Sequence, residues 1–140
     1  MTNWRELGGS DMPIVVLVRD EDESVTQVLR RDLFGEDFRF ARGAIVLSSA
    51  EDINAALAKT RGALGFTSYG SLVSDGAKLK ALAVESVGPS VEALERGDYP
   101  FRRPLGLVFR PAVETTSLAA YLGSDAAAGQ LAELGYAVSP

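Results

Sequence analysis

The sequence predicts an α/β domain with three layers, in which helices flank a mixed, mostly parallel sheet. The first observation is the apolar run 14–18, whose unbroken series of mainly β-branched residues is typical of a strand buried on both faces. The second is that further apolar runs alternate with segments of helical periodicity, as crossover helices between parallel strands require. The third is size, since 140 residues with 46% hydrophobic side chains can enclose one core.

Four more strands are expected after the first one. They are residues 44–47, 62–69, 79–84 and 105–109. The third predicted strand carries glycines, which indicate that another part of the backbone approaches it closely. The pattern therefore predicts five strands in all.

The helices are predicted from their start and stop signals. Ser24, at capping-box spacing from Gln27, is expected to begin a helix that Gly35 ends. Ser48 or Ser49 is expected to cap the next helix. The remaining helical segments are a short turn at 4–9, a helix at 91–96 opened by Pro89-Ser90 and ended by Gly97, and two helices at about 115–122 and 125–134.

Composition excludes several functions. The net charge is −5 and no basic run is longer than two residues, so we expect no nucleic-acid partner. The chain has no cysteine and no histidine, which removes thiol nucleophiles, the commonest general base and the commonest zinc ligand, and leaves carboxylates as the remaining catalytic groups. We therefore expect no enzyme activity, no metal and no cofactor. Asp20 and Asp22 alternate with Ser24, but the glycine and glutamate of a calcium loop do not follow.

Location is predicted from what the chain lacks. No apolar run of about 20 residues is present, and the polar start of the chain is unlike a secretory signal. If the sequence is complete, the protein is expected in the cytoplasm.

Three segments carry a resemblance to a known family. They are a strand ending at Arg19 and followed by Ser24 and Thr26, the run Gly62-Ala63-Leu64-Gly65-Phe66, and Pro89-Ser90 followed by Gly97, Tyr99-Pro100 and Arg103-Pro104. In this order they resemble the phosphate-binding-type (type II) periplasmic solute receptors of ABC transporters. Those proteins have a strand, an arginine and Ser-Gly-Thr, then Gly-Ala-Ile-Gly-Tyr, then Pro-Ser/Thr, Gly-x-Tyr-Pro and Arg-Pro.

The resemblance implies one lobe of a two-lobed receptor, with the ligand in the cleft between lobes. The whole chain, 1–140, is then a single domain of this type, with residues 1–104 as the core of the second lobe and 105–140 as a segment returning to the first lobe. Such receptors are periplasmic or otherwise extracytoplasmic. A separate chain or a second copy is expected to replace the first lobe, and an ABC transporter permease is the expected partner.

The resemblance also implies the ligand-binding residues. Arg19 would pair with the charge of phosphate or a related oxyanion, Ser24 and Thr26 would donate hydroxyl and backbone hydrogen bonds, and Val25 would donate its amide. The alternative interpretation makes Ser24 a simple helix cap and Arg19 an ion-pair partner of the acidic loop 20–23.

Two functional hypotheses follow. The first is an oxyanion-binding module for transport or sensing. The second is a degenerate, non-binding relative that acts in self-association or protein interaction. It is favoured by Val25, which stands where the family has glycine, and by the four carboxylates of loop 20–23.

Overall fold

The structure is a computed structural model that describes residues 1–76, 78–108 and 116–138. The strands are β1 (Val15–Arg19), β2 (Ile45–Leu47) and β3 (Ala63–Gly65). The helices are α1 (Ser24–Leu29), α2 (Ala50–Lys59), α3 (Tyr69–Ser74), α4 (Val91–Glu95), α5 (Thr116–Leu122) and α6 (Asp125–Glu133), with a 3₁₀ turn at Trp4–Leu7 and a π-helical turn at Arg30–Phe34. The chain divides into two compact units, Met1–Lys80 and Ala81–Pro140. The predicted division at residue 104 into lobe core and return segment stays a prediction.

The first unit is built on a parallel sheet in the order β2-β1-β3. The central strand β1 is the predicted apolar run, and its neighbouring residues Leu17 and Val18 are only 2% and 1% exposed. Successive side chains of a strand point to opposite faces, so the central strand is covered on both faces. The α/β class with a parallel sheet is therefore confirmed.

Helix α2 provides most of the cover on one face. It packs against all three strands and against α3, and Ile53 is its most deeply buried apolar residue. Its predicted cap is confirmed at Ser49, whose Oγ accepts the amide of Asp52 at 3.0 Å. β2 lies on one side of β1 and β3 lies on the other side, so the two crossover connections run in opposite directions across the sheet. Right-handed crossovers therefore place α1 and α2 on opposite faces of the sheet.

Gly62 and Gly65 allow the neighbouring backbone of β1 and of Pro13 to approach this segment closely, as the glycines in the sequence predicted. A Cβ on Gly62 would lie 2.5 Å from the carbonyl oxygen of Pro13, and one on Gly65 would lie 2.8 Å from that of Leu17. The carbonyl of Gly62 accepts the indole Nε1–H of Trp4 at 2.9 Å and the amide of Val15 at 3.0 Å. The N-terminal turn is thus held to the start of β3.

Three strand predictions need correction. The third strand ends at Gly65, and Tyr69 is instead the first residue of α3, capped by Ser68. Residues 79–83 form no strand, and residues 105–108 are irregular and exposed; residue 109 lies outside the described part. An apolar β-branched run predicts a strand only if another backbone is available to pair with it. No such partner strand lies beside these two runs in the described residues.

Most of the helix predictions in the second unit are confirmed. Ser90 caps α4 by accepting the amide of Ala93 at 3.0 Å, and Gly97 follows the helix with φ of +75°. The predicted pair of late helices corresponds to α5 and α6, which pack together. The hydroxyl of Tyr121 on α5 donates to Oε1 of Gln130 on α6 at 2.7 Å.

No helix in the described ranges is both long enough and apolar enough to span a bilayer.

A tight turn in the second unit carries backbone strain. Val84 and Val87 exchange two backbone hydrogen bonds of 2.9 Å, and the two residues between them, Glu85 and Ser86, have φ of +50° and +71°. Positive φ at both central positions is the geometry of a type I′ turn, for which Asn-Gly is the preferred pair. Non-glycine residues in this conformation are strained by roughly 1–2 kcal/mol each.

We therefore expect the double variant Glu85→Asn/Ser86→Gly to raise the free energy of unfolding by about 1 kcal/mol, measured by thermal and urea denaturation. Glu85→Gln is the control, because it removes the same charge without favouring positive φ. Equal stability of the double variant and this control would contradict the strain argument.

Candidate functional site

The carboxyl ends of the three parallel strands meet at one edge of the sheet. The connection that follows β1 crosses one face of the sheet, and the connection that precedes β3 crosses the other face. The direction of the strand order therefore reverses between β1 and β3. In open parallel sheets this reversal creates a crevice outside the carboxyl ends of the two strands, where ligands bind. The crevice is flanked here by Arg19 with loop 20–23 after β1 and by residues 66–68 after β3.

Arg19 is the last residue of β1 and is paired in register with Leu47 of β2. Its side chain is only 12% exposed, and its Nη2 donates to Oε1 of Glu23. Its Nε is buried and has no acceptor among the described residues. The alternative interpretation of Arg19 as an ion-pair partner of the acidic loop is therefore confirmed, yet the guanidinium keeps an unused donor at the sheet edge.

The acidic loop 20–23 folds back on two arginines. Glu23 pairs with Arg19, and Oε2 of Glu21 pairs with Nη2 of Arg30 at 2.9 Å. These two ion pairs compensate two of the four carboxylates and reduce their repulsion of an anion. In the part of the chain that the structure describes, no three carboxylates converge as a cation site requires.

The predicted start of the helix at Ser24 is confirmed, but the predicted cap is not. Glu23, not Ser24, is the N-cap residue of α1, and its side chain makes no capping hydrogen bond. Ser24 is the first helical residue and is exposed. Because the capping carbonyl is that of Glu23, which accepts the amide of Gln27 at 3.0 Å, the capping-box pairing of Ser24 with Gln27 is wrong.

Val25 and Thr26 lie in the first turn of α1. Thr26 is only 1% exposed, and its Oγ1 donates to the carbonyl oxygen of Asp20 at 3.0 Å, so this hydroxyl is already used to hold the loop. Val25 is half-buried. The first amides of a helix have no intrahelical acceptor, and those of Val25 and Thr26 donate to no backbone carbonyl of the described residues.

Thr67 is a residue of this edge that the sequence interpretation missed, because it was assigned to the interior of a strand. It lies two residues beyond Gly65, which is in register with Leu17, just as Arg19 lies two residues beyond Leu17. Its Oγ1 is buried and has no hydrogen-bond partner among the described residues. A Thr-Ser pair one residue after a glycine-containing strand was the sequence signal that could have identified it.

Apart from the exposed carboxylates of Asp20 and Asp22, the polar groups of this edge that have no acceptor among the described residues share one property. Arg19 Nε can only donate, the two first-turn amides can only donate, and the hydroxyl of Thr67 can donate. An arginine fork with nearby hydroxyl and amide donors is the arrangement that holds compact anions with several acceptor oxygens. The edge therefore suits an oxyanion better than a cation.

Fold and edge geometry together define a class of protein, an α/β lobe with a parallel sheet whose carboxyl edge presents hydrogen-bond donors. The chain belongs to the PBP superfamily, whose domain profile, described as "PBP superfamily domain", matches residues 1–129. The resemblance found in the sequence is confirmed by this match.

Curated relatives are phosphate-binding proteins. The chain is 33% identical over 98 residues to phosphate-binding protein PstS of Bacillus subtilis, a match covering 70% of this chain and 31% of the relative. It is 29% identical over 85 residues to phosphate-binding protein PstS 2 of Streptococcus pneumoniae, covering 61% of this chain and 28% of the relative. The matched region is thus about a third of each relative.

Solved structures show the same fold. A putative phosphate ABC transporter substrate-binding protein with bound phosphate from Clostridium perfringens superimposes with a TM-score of 0.83 at 20% identity, covering 100% of this chain and 58% of that one. An ABC-type phosphate transport receptor from Vibrio cholerae gives a TM-score of 0.62 at 27% identity, covering 99% and 58%. The chain therefore spans under two thirds of these structures.

Proposed function

We propose that this chain binds phosphate or a related small oxyanion as part of a solute-binding receptor for transport or sensing. The observation that carries the proposal is the buried side chain of Arg19 at the carboxyl end of β1, whose Nε donor has no acceptor among the described residues. The named activity of the curated relatives, phosphate binding, supports the same ligand class. No observation on the described residues favours the self-association alternative.

Arg19 supplies the charge for this function. A bidentate contact uses two N–H groups of the guanidinium, of which Nε is unused and Nη2 is paired with Glu23. The guanidinium has five N–H donors, so Arg19 can donate from Nε to an anion while its ion pair with Glu23 is kept.

The start of α1 supplies neutral donors. The amides of Val25 and Thr26 precede the first helical hydrogen bond, and the exposed Ser24 places a hydroxyl beside them. Because the hydroxyl of Thr26 already holds Asp20, its contribution to the ligand is its amide. A backbone amide donates whatever its side chain, so Val25 can fill the role of the family's glycine without offering the same close approach.

The receptor class sets the expected partners. A receptor of this class is extracytoplasmic, holds its ligand between two lobes and delivers it to an ABC transporter permease. The chemistry proposed for the edge is the binding of an anion alone.

The test is a titration of the ¹⁵N-labelled chain with inorganic phosphate, followed by heteronuclear NMR at constant ionic strength. We expect saturable shifts in the amides of Val25 and Thr26 and in the Nε–H of Arg19. Sodium chloride at the same ionic strength is the control, and sulfate reports on anion selectivity. The absence of saturable shifts with either oxyanion would contradict the proposal.

A further inference from the structure

We propose that Thr67 is a further ligand-positioning residue, whose hydroxyl donates to an oxygen of the anion that Arg19 holds. The inference rests on the proposed function and adds a contact from the loop after β3 to those from β1 and α1. It concerns one atom, Oγ1 of Thr67, which is buried without a partner among the described residues.

The register of the sheet places this loop beside Arg19. Leu17 of β1 and Gly65 of β3 are paired, and both chains continue from that pair toward the same edge. Arg19 is two residues further on, at the end of β1, and Thr67 is two residues further on, in the loop that leaves β3 at the same edge. The geometry points to neighbouring positions for the two side chains on the crevice between β1 and β3.

The neighbouring serine hydroxyls of this loop and of α3 have structural roles, whereas that of Thr67 has no partner among the described residues. Oγ of Ser68 accepts the amide of Ser71 at 3.2 Å and so caps α3. Oγ of Ser71 accepts from Nδ2 of the buried Asn54 at 2.9 Å and so joins α3 to α2. In a loop where neighbouring hydroxyls are bonded, an unbonded buried hydroxyl is the exception.

Leaving a polar group buried and unbonded is unfavourable. Two such atoms, Arg19 Nε and Thr67 Oγ1, follow adjacent strands, and both can donate. A single acceptor oxygen between them would satisfy both. A tetrahedral oxyanion offers such an oxygen and still presents three others to the remaining donors.

The experiment compares phosphate affinity and ligand-free stability of Thr67→Val, which has the same shape without the hydroxyl. We expect its dissociation constant for inorganic phosphate to rise about tenfold or more, the effect of losing one hydrogen bond to a charged group. We expect its melting temperature without ligand to stay equal or rise, because an unbonded hydroxyl is replaced by an apolar group. A hydroxyl with a purely structural role would instead lower the melting temperature.

Two further variants complete the test. Thr67→Ser restores the hydroxyl and is expected to keep affinity within about threefold of the original. Thr60→Val is the matched control, because Thr60 lies before the amino end of β3, away from the carboxyl edge.

Unchanged phosphate affinity in Thr67→Val, with binding intact in the original chain, would overturn the role of Thr67 alone. Failure of the original chain to bind phosphate would overturn the proposed function, and the role of Thr67 with it.

Discussion

Replacing Arg19 with glutamine is expected to weaken phosphate binding about a hundredfold or more. The side chain lies at the carboxyl end of the central strand, is 12% exposed and keeps a buried unused donor. Hydrogen bonds to charged groups contribute about 1.5–3 kcal/mol each, and glutamine removes both the charge and the fork. Calorimetric or NMR titration with inorganic phosphate measures the change.

Arg30 offers a matched control for Arg19. Its side chain is equally buried, it pairs with another glutamate of the same loop, and its Nε also has no partner in the described ranges. However, Arg30 begins the π-helical turn after α1 and is not at the end of a strand. Arg30→Gln is therefore expected to change phosphate affinity by less than about threefold while lowering stability to a similar degree.

Arg19→Lys separates charge from geometry. Lysine keeps the charge but presents a single ammonium instead of a planar fork, so we expect an affinity between those of the original chain and Arg19→Gln. If Arg30→Gln weakened binding as much as Arg19→Gln does, general electrostatic attraction would explain the result and the assigned role of Arg19 would be wrong.

Gly62→Ala is expected to lower the free energy of unfolding by about 3 kcal/mol or more. The residue has φ of +75°, a conformation that is strained by roughly 1–2 kcal/mol for alanine. The new Cβ would also lie 2.5 Å from the carbonyl oxygen of Pro13, which is backbone and cannot rotate away. Relief of that clash would move the carbonyl that holds Trp4 and Val15.

Gly8→Ala is the control for this prediction. Gly8 has φ of +80°, but no atom lies within 4 Å of the position its Cβ would take. It therefore carries the conformational cost without the clash, and we expect a loss of roughly 1–2 kcal/mol. Urea denaturation of both variants gives the difference. Equal losses would show that β3 can move away from Pro13, contrary to the close packing described.

The acidic loop 20–23 shows which effects of charge can be predicted from sequence and which cannot. Four consecutive carboxylates at 20–23 predict repulsion of an anion, and this favoured a non-binding relative. The folded loop pairs Glu23 with Arg19 and Glu21 with Arg30, so part of the negative charge is compensated locally. Sequence supplies the number of charges, whereas the effect on the site depends on which of them are paired.

The predicted site was found only in part from sequence. Arg19 was placed correctly at the end of β1, and the amides of Val25 and Thr26 lie in the first turn of α1 as expected. The cap is Glu23 instead of Ser24, because the loop closes one residue earlier when the carbonyl of Glu23 accepts from Gln27. Contact of Arg19, Ser24, Val25 and Thr26 with a ligand stays a prediction.

By itself the sequence determined the features that depend on neighbouring residues. The run of β1, the caps at Ser49 and Ser90, and the helix stops at Gly35 and Gly97 follow from local side-chain and backbone preferences. The family could also be predicted from sequence, because each short motif is a local feature and the order of the motifs is visible along the chain.

Only the tertiary structure decided which apolar runs became strands and which polar atoms were left without partners. Residues 79–83 and 105–108 are apolar enough for strands, but a strand needs a second backbone to accept and donate its hydrogen bonds. In the same way, the position of Thr67 relative to Arg19 depends on the register between β1 and β3. Both are relations between segments far apart in the chain, and local sequence patterns carry no information on such pairing.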